Sequence, residues 1–469
     1  MGRGMDAGPS HAGRDTRTAL AACCAGILLL PLMSTMMNLA LVHIGGEFGV
    51  GSHSLAMVNT AFLLSSVVAM VPVARLSDIH GRKKAMAAGL VVTVAGALTG
   101  AFCPSFEFLL ASRFVMGIGS AAVSVSAMAF ITEVFPPERR GWAIGVYTTF
   151  IYLGIAVGPT LGGVMSDTVG WRSLFFFMVP FAVASLLLLY RFKGDVVVDG
   201  RGKMDFPGSV AYGAAVFLTM YGVINLPELW AFGAMAAGLV ALAAFVFMMR
   251  GRESPVLNLS IFRHAVFSRS CLVAFMNYAS SYSVSFFMAL YLQSIGALTA
   301  SQAGMVMLVQ PAFQVALSTV SGSLSDRISD KRILPTAGMA LTAAAVFMIM
   351  MLGMEANYAY IAVVLVLLGV GYGIFSAPNS NAVMSSVPPR NRGEASAMLA
   401  VVRQAGMMVS MSVAMLCISF IMGSTDDLGP DTFGDFISVI RAAFAVCLAM
   451  CVIGTAVSWF RGKDASSPA

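Results

Sequence analysis

The sequence predicts an all-α membrane protein with 14 transmembrane helices, arranged as two six-helix bundles plus two extra helices. Three observations predict this fold class. Hydrophobic side chains make up 58% of the 469 residues and charged side chains only 11%, whereas about a quarter of the residues of soluble proteins are charged. Apolar runs close to the roughly 20 residues that span a bilayer occur fourteen times. Short motifs of the first half also return in the second half.

The predicted spans come in groups of six, two and six. The first six are expected at about 18–42, 54–76, 84–103, 106–132, 142–165 and 171–192. The two extra spans are expected at about 207–226 and 229–249, and the last six at about 270–294, 302–325, 334–353, 357–384, 394–422 and 437–460. The chain then divides into a tail at 1–17, a bundle at 18–192, a linker with the two extra helices at 193–268, a bundle at 269–461 and a tail at 462–469.

The distribution of positive charge predicts the topology. With an inner N-terminus, all 28 Lys and Arg residues except Arg113, Arg172, Arg403 and Arg441 fall in tails, loops or helix ends on the inner side. Cytoplasmic loops carry an excess of Lys and Arg. Both termini are therefore expected in the cytoplasm, in a protein that crosses the cytoplasmic cell membrane many times.

Several function classes are disfavoured by composition. The net charge of +6 is scattered through short loops, whereas binding of nucleic acid requires a basic soluble face. The seven Cys show no metal-ligand spacing, and no group of His, Asp, Cys or Ser at a membrane face suits an enzyme. A phosphate-binding Gly-Lys-Ser/Thr loop is also missing. We expect no enzyme, metal site, cofactor or direct use of ATP, and a membrane enzyme or a non-transporting sensor is the least favoured alternative.

The two halves carry an internal repeat. The segment 134–141 matches 386–393, an offset of 252 positions, while Asp78 and Asp326 are 248 positions apart. Many transporters are built from repeats that place a substrate site at the repeat interface near the bilayer midplane. The repeat therefore favours a central site for a small molecule between the two bundles.

A basic stretch, Ala74–Lys84, is expected to form a short polar turn between the second and third spans, and it recurs at 322–332. Together the two copies resemble the signature turn of the major facilitator superfamily of transporters. The resemblance implies a major facilitator-type fold and a charge cluster that holds the cytoplasmic side in one conformation. The residues that it assigns to this conformational switch are Asp78, Gly81, Arg82, Asp326, Arg327 and, at the end of the fourth span, Glu133. The alternative is an ordinary solvated loop.

The fifth span contains a stripe of glycines. Gly154, Gly158 and Gly162 are four residues apart, which lets another helix approach closely, and Pro159 removes a backbone hydrogen bond and bends the helix. With Gly163, the string resembles the antiporter motif of drug exporters in the superfamily. The six, two and six plan resembles its fourteen-helix drug:proton antiporter family. Ordinary close packing of helices is the alternative interpretation.

Arg113 and Arg403 lie inside predicted spans, away from the span ends. Burying an Arg in a bilayer costs about 2.5–3.5 kcal/mol on insertion scales, so each should face the bundle interior or extend to the interface. Arg113 resembles the Arg of a helix-four motif of the family that is implicated in proton transfer, which makes it the coupling candidate; a structural Arg that bonds carbonyl groups is the alternative. Arg403 lies deeper and should face a cavity or a partner. Arg441 lies near an outer end.

The first span departs from the family pattern. Met33 stands where the fourteen-helix family commonly has an acidic residue, and no other Asp or Glu falls near the middle of a span. A midplane carboxylate that exchanges a proton for a cationic drug is therefore missing. This weakens the case for proton antiport and favours neutral or anionic substrates.

Other polar residues within the spans are candidates for the lining of a substrate cavity, although each could equally form an interhelical hydrogen bond. With the two arginines, the candidates are Thr35, Asn38, Asn59, Arg113, Tyr147, Tyr152, Asn277, Gln310, Gln314, Asn379 and Arg403. The chain also has 34 Met and 32 Phe, which would give adaptable apolar walls.

Our leading hypothesis is a secondary active transporter for the efflux of small lipophilic compounds, driven by a proton or other ion gradient. The two bundles would rock against each other around the site. The alternative is a selective metabolite importer, exchanger or facilitator of the same superfamily. The expected partners are a small-molecule substrate and the lipid bilayer, without nucleic acid, and the protein is expected to function as a monomer.

Overall fold

The computed structural model describes residues 9–50, 52–192, 204–226, 228–249, 257, 259–298, 300–422 and 432–461. Six helices form the first bundle: α1 (Pro9–Phe48), α2 (Ser52–His80), α3 (Arg82–Ala101), α4 (Phe106–Val134), α5 (Pro137–Thr168) and α6 (Ser173–Arg191). The two extra helices are α7 (Phe206–Ile224) and α8 (Leu229–Met249). The second bundle comprises α9 (Ala265–Ser281), α10 (Ser283–Ser294), α11 (Ala300–Met307), α12 (Val309–Arg327), α13 (Ile333–Met350), α14 (Tyr358–Ser385), α15 (Arg392–Ile421) and α16 (Phe433–Trp459). Short 3₁₀ helices at Leu259–Arg263 and Pro389–Asn391 precede α9 and α15.

Helix starts follow local sequence signals. The side chain of Ser105 accepts a hydrogen bond from the Phe108 amide at the start of α4, and that of Asn357 accepts one from the Tyr360 amide at the start of α14. Such caps satisfy backbone N–H groups that have no partner within the helix. Pro137 stands in the first turn of α5, where its missing N–H costs no helical hydrogen bond.

The prediction of an all-α membrane protein is confirmed. Among the described residues, thirteen helical segments are long and apolar enough to span a bilayer. The remaining predicted span, 270–294, is broken into α9 and α10, which meet at Tyr282. The span predicted at 302–325 likewise has a turn at Leu308, between α11 and α12.

The helices pair in the same way in both bundles. In the first, α1 packs on α5 and α6, α2 on α4, and α3 on α4 and α6. In the second, α9 packs on α15 and α16, α12 on α14, and α13 on α14 and α16. The bundles meet where α5 packs on α12 and α2 packs on α15. Helix α7 contacts both α2 and α15, so the extra pair lies beside one of these two seams.

The end of the molecule that carries Asp78, Arg82, Glu133, Asp326 and Arg392 is called the charged face below, and the opposite end the far face. The expected polar turn at Ala74–Lys84 is shorter than predicted, because α2 continues to His80 and α3 starts at Arg82. Only Gly81 separates them, with φ of 106°, a backbone conformation that glycine adopts without a steric penalty. The basic stretch is therefore two helix ends that meet at one glycine.

The first helix begins earlier than the predicted span. Residues 9–17, assigned by the sequence to the N-terminal tail, continue α1. Residues 1–8, 193–203, 250–256 and 462–469, which cover the rest of the predicted tails and most of the connectors, lie outside the described residues.

Candidate functional site at the interface of the two bundles

A buried charge cluster joins the two bundles at the charged face. Arg82 is fully buried, and its guanidinium donates hydrogen bonds to Asp78 Oδ1 at 3.2 Å and to Glu133 Oε1 at 3.3 Å. Its Nη1 atom also donates to the Ala129 carbonyl at 2.8 Å. Arg392 of the second bundle donates to Glu133 Oε1 at 3.1 Å. The cluster therefore links α2, α3 and α4 with α15.

The alternative of a solvated loop does not describe Asp78, whose side chain is buried. Asp78 and Arg82 lie on either side of Gly81, so the tight break between α2 and α3 brings the two charges together. On its other side, Asp78 faces the first turn of α15, where a Cβ added to Gly393 would lie 2.4 Å from Asp78 Oδ1. The Asp78 carboxylate therefore packs directly between α2 of the first bundle and α15 of the second.

Asp326 makes the corresponding contact at the other seam. Its carboxylate accepts hydrogen bonds from the backbone amides of Gly141 at 2.8 Å and Trp142 at 3.0 Å. These amides lie in the first turns of α5, where a helix favours negative charge. Asn381 donates to Asp326 Oδ1 at 3.2 Å. Arg327, predicted beside Asp326, is exposed and lies outside these contacts.

Backbone contacts tighten the same seam. A Cβ added to Gly141 would lie 2.4 Å from the Gly322 carbonyl oxygen. Ser318 Oγ donates to the Gly145 carbonyl at 3.1 Å, one turn deeper. Deeper still, the hydroxyls of Thr149 and Thr319 are 3.0 Å apart. Helices α5 and α12 therefore touch along the charged-face half of their length.

Arg113 is fully buried between α4 and α2. Its Nε atom donates to the Val58 carbonyl at 3.2 Å and its Nη2 atom to Asn59 Oδ1 at 3.0 Å. The guanidinium carbon lies 4.6 Å from the centre of the Phe62 ring. Nη1 has no hydrogen-bond partner among the described residues. Arg113 thus faces the bundle interior, as expected, with neutral partners and one donor left over.

The glycine stripe of α5 packs on α1 within the first bundle. A Cβ added to Gly154 would lie 2.8 Å from Pro31 Cγ, and one added to Gly162 would lie 2.6 Å from the Met36 carbonyl oxygen. A Cβ on Gly158 would overlap the Thr35 hydroxyl, which in turn donates to the Gly154 carbonyl at 3.3 Å. The seam between the bundles uses two other glycines of α5, Gly141 and Gly145.

Arg403 on α15 lies beside side chains of α9 and α14 in the second bundle. Arg403 Nη2 donates to Ser380 Oγ at 2.5 Å, and its guanidinium carbon lies 5.9 Å from the centre of the Tyr278 ring. Tyr147 and Tyr152 are buried on α5 of the first bundle, and Tyr152 lies beside Ser376, one turn before Ser380 on α14. Arg403, Tyr278 and Ser380 belong to the second bundle. Of the predicted candidates, Tyr152 and Arg403 therefore both lie beside the stretch of α14 that holds Ser376 and Ser380, whereas the Tyr147 hydroxyl donates to the Ser124 carbonyl within the first bundle at 3.4 Å.

An exposed ion pair ties α1 to the start of α6 at the far face. Arg172 donates to Glu47 Oε2 at 2.6 Å and Trp171 Nε1 donates to the same atom at 2.8 Å. The Arg172 guanidinium also lies 4.4 Å from the centre of the Trp171 ring. The hydrogen bond from Arg172, with smaller contributions from Trp171 and the Arg172 charge, lowers the pKa of Glu47 below its usual 4.5.

The lowered pKa of Glu47 predicts an acid-dependent stability. Ionised Glu47 stabilises the folded protein above pH 4.5, and this contribution disappears as pH falls through the lower folded-state pKa. We expect the parent to melt on the order of 1 °C above Glu47→Gln at pH 7, with the difference vanishing toward pH 3. Melting curves of both proteins over this pH range test it. A difference that grows on acidification would contradict the assignment.

The family follows from the whole chain. The sequence profile of the Major Facilitator Superfamily matches residues 23–267 and 270–469. The chain belongs to the Major Facilitator Superfamily. It is therefore a transporter and not an enzyme, and the match covers both bundles and the two extra helices.

Relatives within the superfamily include proteins of different named function. The chain is 26% identical over 384 residues to the riboflavin transporter RibZ of Clostridioides difficile (strain 630), covering 81% of this chain and 83% of that protein. It is 27% identical over 406 residues to the multidrug resistance protein Stp of Mycobacterium tuberculosis (strain CDC 1551 / Oshkosh), covering 85% and 75%. The structure of the proton:xylose symporter XylE superposes with a TM-score of 0.68 at 13% identity, covering 96% and 97%. This likeness supports the major facilitator-type fold.

The remaining cavity candidates have different surroundings in this superfamily member. Asn277 is fully buried within the second bundle beside Met339, and Asn379 donates to the Ser270 carbonyl at 3.1 Å near the charged face. Gln314 is buried and Gln310 is partly buried, both on α12. The side chain of Asn38 and that of Pro159 lie outside the described residues.

Sequence reasoning missed two arginines at the charged face. Arg392 lies in the repeated segment 386–393, and its guanidinium forms the ion pair with Glu133 that joins the two bundles. Arg461 was assigned to the inner positive charge, but it is buried and donates to Ser270 Oγ at 3.2 Å and to Asn379 Oδ1 at 3.3 Å. The available signal was the match of 386–393 to 134–141, because it places Arg392 at a helix start that faces the other bundle.

Proposed function

We propose that this transporter exports small lipophilic compounds by alternating access, with the two bundles rocking about a central site. One observation carries the proposal. The polar contacts between bundles that the described residues make cluster in the charged-face half, at Glu133 with Arg392 and at Gly141 with Asp326. Beyond them, Tyr152 of the first bundle lies beside Ser376 of the second, one turn from the Ser380 that binds Arg403. In this proposal the central site lies in the middle of the protein, and the polar contacts at the charged face can break to open that end.

The relatives support the substrate class. Multidrug resistance protein Stp matches most of this chain, and the buried interior of this protein is rich in Met and Phe. Flexible, polarisable Met side chains suit ligands of varied shape. The charged face is proposed to be cytoplasmic because it collects Lys and Arg. Each chain holds both bundles, so a monomer is proposed as the functional unit.

A proton gradient is the proposed energy source, and Arg113 is the proposed coupling residue. Its guanidinium is buried, Nη1 has no hydrogen-bond partner among the described residues, and its other partners are neutral. A buried cation of this kind is sensitive to any change in the packing of α2 on α4, because an altered distance to Asn59 changes its solvation. Movement of these helices would then be linked to the solvation of the Arg113 charge.

Transport by the purified protein in liposomes tests the function. We expect an imposed proton gradient to drive accumulation of a lipophilic dye in these liposomes, by the proteins inserted inside-out, whereas a sodium gradient does not. Arg113→Gln is expected to reduce gradient-driven uptake by about 10-fold or more. The control Arg441→Gln, toward the far face of the second bundle, should leave uptake unchanged. Dye that moves only down its own concentration gradient would contradict energised export. Failure of the parent to move any dye in a broad panel would contradict the substrate class.

A selective metabolite transporter is the second candidate. It is favoured by the match to the riboflavin transporter RibZ and by Met33, a buried apolar residue where an acidic residue could serve coupling to cations. A thermal-shift screen separates the two functions. Strong stabilisation by one metabolite class would support selectivity, and weak stabilisation by many apolar compounds would support efflux.

A further inference from the structure

Arg403 is placed near the middle of the membrane. It lies eleven residues after Arg392 on α15, on the order of 16 Å along the helix at 1.5 Å per residue, within a hydrocarbon core of about 30 Å. Its side chain is partly exposed. Because neither helix end is within easy reach, the guanidinium is held inside the protein, beside Ser380 and Tyr278.

The charge of Arg403 has neutral neighbours. Among the described residues its partners are the Ser380 hydroxyl at 2.5 Å and the Tyr278 ring at 5.9 Å, and no described Asp or Glu forms an ion pair with it. By contrast, the buried Arg82 has two carboxylates. An unpaired cation within a membrane is costly, and such groups mark substrate or ion pathways. The missing counter-charge can be supplied by a bound anion.

A second polar group points to the same ligand. The Tyr152 hydroxyl is buried and makes no well-formed hydrogen bond among the described residues. The polar group beside it is Ser376 of α14, one turn before Ser380, the partner of Arg403. Tyr152 belongs to the first bundle and Arg403 to the second. A buried hydroxyl without a partner is unfavourable. An acceptor atom placed between this hydroxyl and the guanidinium would satisfy both.

The break between α9 and α10 lies beside this group. Tyr282 at the break is 42% exposed and follows Tyr278 by four residues. The break is stabilised from α15, where Ser410 Oγ accepts a hydrogen bond from the Ser283 amide at 3.0 Å. Broken helices in transporters commonly border the substrate site. One turn back, Tyr278 lies 6.1 Å from Tyr372, centre to centre, which adds aromatic surface.

We propose that Arg403, Tyr152, Tyr278 and Tyr282 form an anion subsite for planar aromatic acids. The acid group would bind Arg403 and accept a hydrogen bond from Tyr152, and its ring would pack against Tyr278 and Tyr282. This inference rests on the proposed function, since it names the substrate class of the central site. A ligand bound in this way contacts both bundles at once, so its binding free energy depends on their relative position.

Three probes of matched shape test the subsite by calorimetry on the purified full chain: 2-naphthoate, 2-naphthamide and 2-naphthylmethylammonium. We expect naphthoate to bind at least about tenfold more tightly than the amide, and the cation to bind most weakly, because a hydrogen bond to a charged group is worth about 1.5–3 kcal/mol. Arg403→Gln should weaken naphthoate by about 10- to 100-fold and the amide by less than about twofold. Tyr152→Phe should weaken naphthoate more than the amide, and Arg441→Gln should change neither.

Retained binding of the amide shows that Arg403→Gln is folded, and Arg403→Lys, which keeps the charge, should retain part of the preference for naphthoate. Equal affinity of the parent for naphthoate and naphthamide, or an equal loss of both in Arg403→Gln, would overturn the proposal. Dye export measured in parallel separates the two claims. Export without a naphthoate preference rejects the subsite alone, whereas an Arg403-dependent naphthoate preference without export rejects the proposed export function alone.

Discussion

Arg82→Met is expected to lower the free energy of unfolding by about 3–5 kcal/mol and to abolish transport. Arg82 is the shared partner of Asp78 and Glu133, at 3.2 and 3.3 Å. Without it, two carboxylates remain near each other at a place where the Arg82 side chain is fully buried. Thermal unfolding in detergent and dye transport in liposomes measure the two effects.

The matched control is Arg327→Met, which removes an exposed Arg at the corresponding end of α12. It should change the melting temperature only slightly, because exposed charges contribute little. A double variant that combines Arg82→Met with Asp78→Asn should recover part of the lost stability, since Glu133 keeps Arg392 as its partner and the Asp78 carboxylate is no longer left without Arg82. Parent-like stability of Arg82→Met would show that the cluster is not a stabilising element.

Much of the fold could be predicted because the bilayer imposes a simple requirement on each span. A helix needs about 20 apolar residues, so hydropathy alone finds α3 at Arg82–Ala101 and α14 at Tyr358–Ser385 to within a few residues. The break at Tyr282 could not be found in this way. The surrounding sequence has neither Gly nor Pro, and the break is held by Ser410, a contact between distant parts of the chain.

The candidate site shows the same division between local and distant contacts. Asp78 and Arg82 are four residues apart and Glu133 ends α4, so a local charge pattern suffices to connect them. Asn379 was a cavity candidate because it is polar and lies within a span, but its amide is bound by Ser270 and Arg461 near the charged face. Hydropathy cannot distinguish a polar residue that faces a cavity from one that joins helices, since both are buried.

The second large effect is expected at Gly141, where α5 crosses α12. A Cβ at this position would lie 2.4 Å from the Gly322 carbonyl oxygen and 2.5 Å from Asp326 Oδ1, closer than atoms approach without a shift of the helices. Gly141→Ala should therefore destabilise the contact at the charged face by about 1–3 kcal/mol. A state in which the charged face has opened would not carry this penalty, so the population shifts toward it by about tenfold or more.

Labelling of a single cysteine measures that shift. Thr319→Cys, introduced after replacement of the native cysteines by Ser, places a thiol where α12 faces Thr149 of α5. We expect Gly141→Ala to raise its rate of reaction with a membrane-impermeant maleimide about tenfold in inside-out vesicles, and Gly322→Ala to do the same from the other side of the contact. Gly233→Ala is the control, because a Cβ there has no neighbour within 4 Å. An unchanged rate in both seam variants, with the control also unchanged, would show that the contact between α5 and α12 does not govern access from the charged face. A faster rate in the seam variants alone would identify this contact as the closure that the rocking motion must open.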